Sequence, residues 1–222
     1  MRRSYGRNMN KTAAFTKEKG VTEKMKDNVK KMVTLALLSA LAYVVMVLIK
    51  FPLFPAAPFL KYEPKDIIIT IGGFMFGPLA AFLMSLVVSL VEMVTVSDTG
   101  VIGAVMNLIS TCAFACTASF IYRKIRHWKG ALIGLVAGTV VMIVVMLLWN
   151  YFLTPLYMAT DKESIEATRL MVKGMLLPVF LPFNAIKGGI NALVTLLIYQ
   201  PVVLALRKAQ LAPEELDKLA ER

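Results

Sequence analysis

Acidic residues, histidine and cysteine are scarce in this 222-residue chain: 14 Asp and Glu stand against 25 Lys and Arg, with one histidine and two cysteines. The histidine, His127, lies in a basic stretch, whereas Cys112 and Cys116 sit one helical turn apart in an apolar one. That set does not make a zinc site, and the cysteines read as small packing residues. No G-x-x-x-x-G-K-[ST] loop is present to cradle ATP phosphates. H-E-x-x-H and G-x-S-x-G are missing too, which removes the common zinc-protease and hydrolase readings. Inside the apolar segments the carboxylates are Glu92 and, at the margin, Asp66. Ion-coupled carriers rely on intramembrane acids or broken-helix ion sites, usually with internal repeats, and no repeat is evident here. The expectation is a membrane binding protein without an engine of its own: no enzyme, no metal, no resident cofactor.

What the chain has in abundance is apolar surface. Hydrophobic residues make up 58%, too many for a soluble domain and enough for about six spans of ~20 residues. The net charge of +11 is not spread over a nucleic-acid-binding face. Ten Lys and Arg fall in residues 1–31, four in Arg123–Lys129 and four after Ala205, all at span ends. This is the positive-inside pattern, with basic tails able to touch anionic lipid. The expected architecture is all-α, with six transmembrane helices and both termini cytosolic. Residues 1–31 form a basic cytosolic tail rather than a signal peptide, 32–206 the membrane domain and 207–222 a charged C-terminal tail.

The predicted spans are Met32–Ile49, Asp66–Phe76, Leu79–Val96, Gly100–Tyr122, Gly130–Phe152 and Pro182–Leu206. The second is short, yet counting it as a crossing puts all three basic clusters on one side. Ala36 and Ala40 make a small-xxx-small pattern in the first span, and Gly130, Gly134 and Gly138 make two overlapping ones in the fifth. Phe51–Lys65 holds four prolines and four aromatics, so it cannot be a regular helix. It reads either as an interfacial connection or as a lid. Asp161 or Ser164 is placed to cap a short amphipathic helix on the outer surface.

One face of the last span breaks the apolar pattern. Asn184, Lys187 and Asn191 stand at i, i+3 and i+7. A cation in hydrocarbon costs roughly 2.5 kcal/mol or more, so this face calls for a partner charge, a polar cavity or a ligand. Pro182 suits the first helical position, which sets Lys187 in the outer half. Asn150 ends the fifth span on the same side, beside Trp149, Tyr151 and Tyr157, and Asn107 lies in the outer half of the fourth. Glu92 ends the third span there, either reaching the headgroups or forming a polar wall. Lys187 either serves a small-molecule site or pairs with Glu92 or backbone carbonyls. A suitable ligand is planar, with amide-like edges and hydroxyls.

The run Phe59-Leu60-Lys61-Tyr62-Glu63-Pro64-Lys65-Asp66 is followed by Gly73-Phe74-x-x-Gly77-Pro78, Asn150-Tyr151 and Leu181-Pro182-Phe183-Asn184-x-x-Lys187-Gly188. From about Lys31 to Leu206 the chain resembles the riboflavin-binding S components of energy-coupling-factor (ECF) vitamin transporters. The resemblance implies a six-helix bundle that captures riboflavin, a transported ligand and not a cofactor, near the outer face. It implies flavin contacts from Asn150, Asn184 and Lys187, with Tyr151, Tyr157, Phe59 and Leu60 stacking or closing over the ligand. Asn191 and Glu92 complete the candidate set. It also implies docking through Ala36 and Ala40 on a membrane-embedded T component, which works with two cytosolic ATPases in the bacterial plasma membrane. Energy would then come from other chains, by toppling of the whole subunit. Two departures stand out: Val88-Ser89 replaces a Lys-Asn pair, and Glu63–Asp66 replaces an Asp-Phe-Ser-Asp-like turn. Another planar vitamin, or a flavin nucleotide, is the alternative ligand; a membrane enzyme using Lys187 and Glu92 is the remote one.

Overall fold

The structure is a computed structural model that describes residues 2–54, 57–58, 60–96, 100–159, 164–209 and 211, with side chains from residue 25 onward except Tyr157 and Arg207. Among the described residues eight α-helices follow in order: α1 (Arg2–Leu48), α2 (Lys65–Phe76), α3 (Pro78–Thr95), α4 (Gly100–Thr111), α5 (Thr117–Lys124), α6 (Trp128–Met158), α7 (Ser164–Met175) and α8 (Leu181–Lys208). Between α1 and α2 a two-residue strand β1 (Phe51–Pro52) pairs antiparallel with β2 (Lys61–Tyr62), Phe51 opposite Tyr62. Among the described residues five stretches are long and apolar enough to span a membrane: Met25–Leu48, Pro78–Thr95, Gly100–Lys124, Trp128–Leu156 and Ser164–Leu206. Their outward faces carry exposed Leu, Val and Phe side chains such as Leu48, Leu79 and Phe152, a surface suited to lipid.

The centre of the bundle is α2, the short segment. Every residue from Lys65 to Met75 is buried, and α2 packs against α1, α3, α5 and α8. A helix apolar around its circumference belongs inside protein. Twelve residues rise only about 18 Å, so α2 reaches part of the way through a ~30 Å hydrocarbon layer. Pro64 precedes the helix and Asp66 lies in its first turn, where a negative charge suits the dipole. It ends at Gly77, whose φ of 93° is open to glycine at little strain, and Pro78 then starts α3.

One span continues where a break was expected, before Pro182. Leu176–Phe180 forms a π-helical turn joining α7 to α8, with the Leu181 N–H donating to Leu176 O. This wider turn carries the helix past Pro178 and Pro182, so Pro182 does not begin an isolated helix. Cys112–Cys116 is a second π-helical turn, between α4 and α5. The basic N-terminal stretch is continuous with the first span in α1, and α6 outruns its expected end at Phe152 by reaching Met158.

The two ends of the bundle differ. At one end Arg123 lies against Gly77, and Thr34 Oγ1 donates to Leu211 O at 2.9 Å, holding α1 to the C-terminal residues. There Phe74 stacks on Tyr122 with centroids 4.5 Å apart, and the Tyr122 and Tyr199 hydroxyls meet at 2.5 Å. The glycine repeat of α6 serves the bundle itself: a Cβ on Gly134 or Gly138 would lie 2.7 Å from Ala118 O or 2.6 Å from Phe114 O. At the other end of α2 lies a polar cavity.

Close packing yields the first expected outcome. A methyl group on Gly73 would collide with Ser119 Oγ and come within 2.9 Å of Ala81 Cβ. Gly73→Ala should therefore destabilise the protein by about 1–3 kcal/mol, as overpacking does. Gly189, with nothing within 4 Å of an added Cβ, should gain about 0.5–1 kcal/mol from the same change through helix propensity. Thermal unfolding in detergent reads both.

Candidate functional site

The site is built where the N-terminus of α2 meets the β1–β2 hairpin. Three acids and three lysines converge there. Lys65, 0% exposed, reaches Glu63 Oε2 at 2.6 Å and also pairs with Glu92 Oε2. Lys50, just past α1, bridges the same two carboxylates at 3.0 Å and 3.4 Å. Lys187 of α8 pairs with Asp66 Oδ2 at 3.3 Å. Thr111 Oγ1 donates to Asp66 Oδ1 at 2.6 Å, and Asn191 Nδ2 donates to Asp66 Oδ2 at 3.2 Å. Tyr62 in turn donates its hydroxyl to Asn191 Oδ1 at 2.9 Å. Asp66 thus ties α2 to α4 and α8, while Glu63 and Glu92 tie the hairpin to α1 and α3. Buried ions are tolerated only when paired and hydrogen-bonded in this way.

The array shapes the titration of the hairpin. Burial pushes the Glu63 carboxyl up, but Lys65, Lys187 and Lys50 override it and hold it at about 2. Burial, then the charge of Asp66, lifts the Tyr62 phenol to about 12, so it stays a donor. For Lys50, burial works downward and the pull of Glu63 and Glu92 wins, raising its pKa.

Against this array lies a cavity of about 270 Å³, near the lower end of the roughly 300–1,000 Å³ of small-molecule sites. One wall is charged and comes from the α1 end, the hairpin, α3 and α4: Lys50, Glu63, Glu92 and Asn107. The Asn107 amide donates to Glu92 Oε1 at 3.0 Å. Further lining residues come from α6 and α8: Asn150, Thr154, Phe183, Asn184 and Lys187. Met106, Met146, Ile102 and Leu60 add apolar surface. Asn150 is fixed by bonds from its Nδ2 to Met146 O at 2.7 Å and from Thr154 Oγ1 to its Oδ1 at 2.9 Å. Asn184 donates Nδ2 to Phe180 O at 2.8 Å, inside the π-helical turn. Its Oδ1 is buried without a hydrogen-bond partner among the described residues, and a buried amide oxygen calls for a donor such as water or a ligand.

Of the residues singled out in the sequence, Asn150, Asn184, Lys187, Glu92 and Leu60 all line this cavity. Glu92 is wall and not headgroup anchor, being 2% exposed. Asn191 lies behind the cavity, holding Asp66. Tyr151 is not among the lining residues; its ring packs against Phe152 and under the Arg169 guanidinium, 6.0 Å from the centroid. Among the described residues the cavity's aromatic lining is Phe183 instead. Phe59 and the Tyr157 side chain lie outside the described residues. Ala36 and Ala40 are exposed on α1. Two expectations need correction. Lys187 pairs with Asp66 and not Glu92, and buried acids are not confined to Glu92 and a marginal Asp66, since Glu63 is 4% exposed and Asp66 0%. Lys50, Glu63, Asn107, Ser110 and Thr154 also line the cavity and were not singled out as site residues. All five lie at span ends or beside the hairpin or read as helix polarity; the charged run at the start of α2 was the available signal.

Comparison with known proteins places this geometry. The family model described as "ECF transporter, substrate-specific component" matches residues 30–199. The chain belongs to this family. Among curated relatives of this S component, a riboflavin transporter RibU of Staphylococcus aureus (strain TCH60) is 32% identical over 181 residues, covering 81% of this chain and 93% of the relative. A riboflavin transporter FmnP of Bacillus subtilis (strain 168) is 32% identical over 174 residues, covering 77% and 90%. A solved structure of the S component of a bacterial ECF transporter superposes with a TM-score of 0.66 at 29% identity, covering 81% of this chain and 98% of that one. The protein is therefore a multi-pass membrane transporter component and not an enzyme.

The charge array gives the S component a defined acid limit. The folded-state pKa of Glu63, about 2, lies below the ordinary glutamate value of about 4.3. Its contribution is therefore complete above about pH 4.3 and is lost as pH falls toward 2. Thermal stability in detergent should stay level from pH 7 to about 5 and decline between about 4.5 and 2. A level profile through pH 2 would contradict the pairing.

Proposed function

We propose that this S component captures riboflavin at the outer face of a bacterial plasma membrane for ATP-driven uptake. The observation that carries the reading is the α6–α8 wall. Asn184 presents an unpartnered acceptor, Lys187 presents donors, and Asn150 and Phe183 flank them in a cavity of compact-ligand size. A flavin ring offers the complement: a flat apolar body whose edge carries an imide N–H between carbonyls. The names of the curated relatives support the choice of riboflavin over another planar vitamin.

In this reading α2 is a sixth crossing, completed by the hairpin region above it. Both termini are cytosolic, as the basic clusters favour. The membrane domain is 32–206, flanked by cytosolic residues 1–31 and 207–222, and the cavity opens outward. Tyr157 and Phe59 help close the loop over the ligand. Riboflavin is cargo, and no cofactor is required. Ala36 and Ala40, exposed among Val33, Leu37 and Leu41, form a small-residue face for a membrane-embedded T component, which works with two cytosolic ATPases. The chain supplies recognition and its partners supply ATP hydrolysis.

Titration of purified full-length protein with riboflavin tests the reading; no binding below micromolar concentration defeats it. Asn184→Ala should weaken binding about tenfold, the worth of one buried hydrogen bond, with little change in melting temperature. Lys187→Ala should do both, since it breaks a buried pair worth about 3–5 kcal/mol when one partner is removed. Single cysteines at Ser4 and Ala220, in a background lacking Cys112 and Cys116, should react with a membrane-impermeant thiol reagent only after the cells are opened.

A further inference from the structure

The end of the bundle away from the cavity carries charge that ligand capture leaves unused. Arg123, Lys124, Arg126 and Lys129 crowd the turn between α5 and α6, and residues 123–129 are all exposed. No acidic residue stands between Asp98 and Asp161 in the sequence. We infer that this turn binds the headgroup of an anionic phospholipid, with Lys124, Trp128 and Lys129 as its contacts. The inference rests on the membrane placement of the bundle and not on the identity of its cargo.

The turn is a fixed frame. The His127 N–H donates to Ile125 O at 2.8 Å, and the Gly130 N–H donates to His127 O at 2.8 Å. A Cβ on Gly130 would collide with Ile125 O, so α6 starts in close contact with the turn. A lysine at the end of a span ordinarily stretches its ammonium outward into water. Lys124 does the reverse: its ammonium folds back over the Phe120 ring, 4.7 Å from the centroid and one helical turn nearer the hydrocarbon. Phe120 is itself 52% exposed, so the cation is held at the rim of the lipid-facing surface. Trp128, 55% exposed at the first position of α6, places an indole at the same rim, the depth that tryptophan favours in membranes. Beyond it Ile133 and Val136 continue an exposed apolar strip along α6. Cations at the rim above such a strip match a phosphate headgroup above its acyl chains.

Lipid is the occupant that this position favours. Helices α5 and α6 pack on one another, whereas α1 packs on α2 and α3. A protein partner docked on Ala36 and Ala40 of α1 therefore leaves the α5–α6 turn to the bilayer. A zwitterionic headgroup brings its own cation, while an anionic one brings the uncompensated charge that the two lysines lack. Each lysine near a membrane surface is worth about fivefold in affinity for anionic lipid. Charges that served only to orient the chain during insertion would hold no headgroup in preference to another.

The test uses the chain's two tryptophans, Trp128 and Trp149, as local reporters. Full-length Trp149→Phe protein, with Trp128 as its reporter, is placed in mixed phosphatidylcholine and phosphatidylglycerol vesicles. The acyl chains of one lipid or the other carry bromine, which quenches a neighbouring indole. Quenching should show a preference of about fivefold or more for phosphatidylglycerol at Trp128. Lys124→Gln combined with Lys129→Gln should bring that preference to within about twofold of parity, with the melting temperature unchanged because both side chains are exposed. The Trp128→Phe protein, which reports from Trp149, should show parity throughout. Equal quenching by both lipids at Trp128, a preference that survives the two glutamines, or the same preference at Trp149 would overturn the inference. Trp149→Tyr, excited where tryptophan alone absorbs, gives the same reading if Trp149→Phe does not fold. None of these outcomes depends on riboflavin binding.

Discussion

Lys187 sits in the bundle because Asp66 sits opposite it, and much of the polar architecture depends on that pair. A lone ammonium or carboxylate at this depth would shed its charge. Together, with Thr111 and Asn191 satisfying the remaining lone pairs of Asp66, they hold α2, α4 and α8 in register. The Lys50, Glu63, Lys65 and Glu92 group does the same for α1, α3 and the hairpin. Hydrophobic side chains give a membrane bundle little reason to prefer one arrangement, since lipid is as apolar as the neighbouring helix. Here the arrangement is specified by charges that have one good way to pair.

The same groups that fix the bundle also shape its cavity. Lys187 meets both Asp66 and the cavity, and Glu92 meets Lys65 and Asn107. A recognition surface assembled from members of a rigid network is preorganised, which limits the ordering that binding must impose. The π-helical turn at Leu176–Phe180 contributes to this, since it supplies the carbonyl that holds the Asn184 amide.

The apolar spans and the Asn184–Lys187 face were legible because helical spacing is local and a lysine among aliphatic residues has few explanations. Asn150 was legible as an amide at the end of an aromatic belt. What stayed hidden depends on pairing across the bundle. Glu63 and Lys65 stand in a run of alternating charge before α2, and in sequence that resembles a solvated turn. Nothing local says that Lys65 is buried against Glu92, 27 residues on. Tyr151 and Phe183 show the reverse limit: both neighbour a site asparagine, and only the rotation of α6 and α8 decides which ring meets the cavity. The π-helical turn at Leu176–Phe180 escaped because Pro182 reads locally as a helix start, and a widened turn is a tertiary solution.

The balance of the array has an electrical consequence. The balance is confined to the paired groups: Lys50, Lys65 and Lys187 match Glu63, Asp66 and Glu92. Each uncompensated charge would exchange about 2.3 kcal/mol with a potential of 100 mV. The six paired groups sit deep in the bundle without giving its interior a net charge of their own.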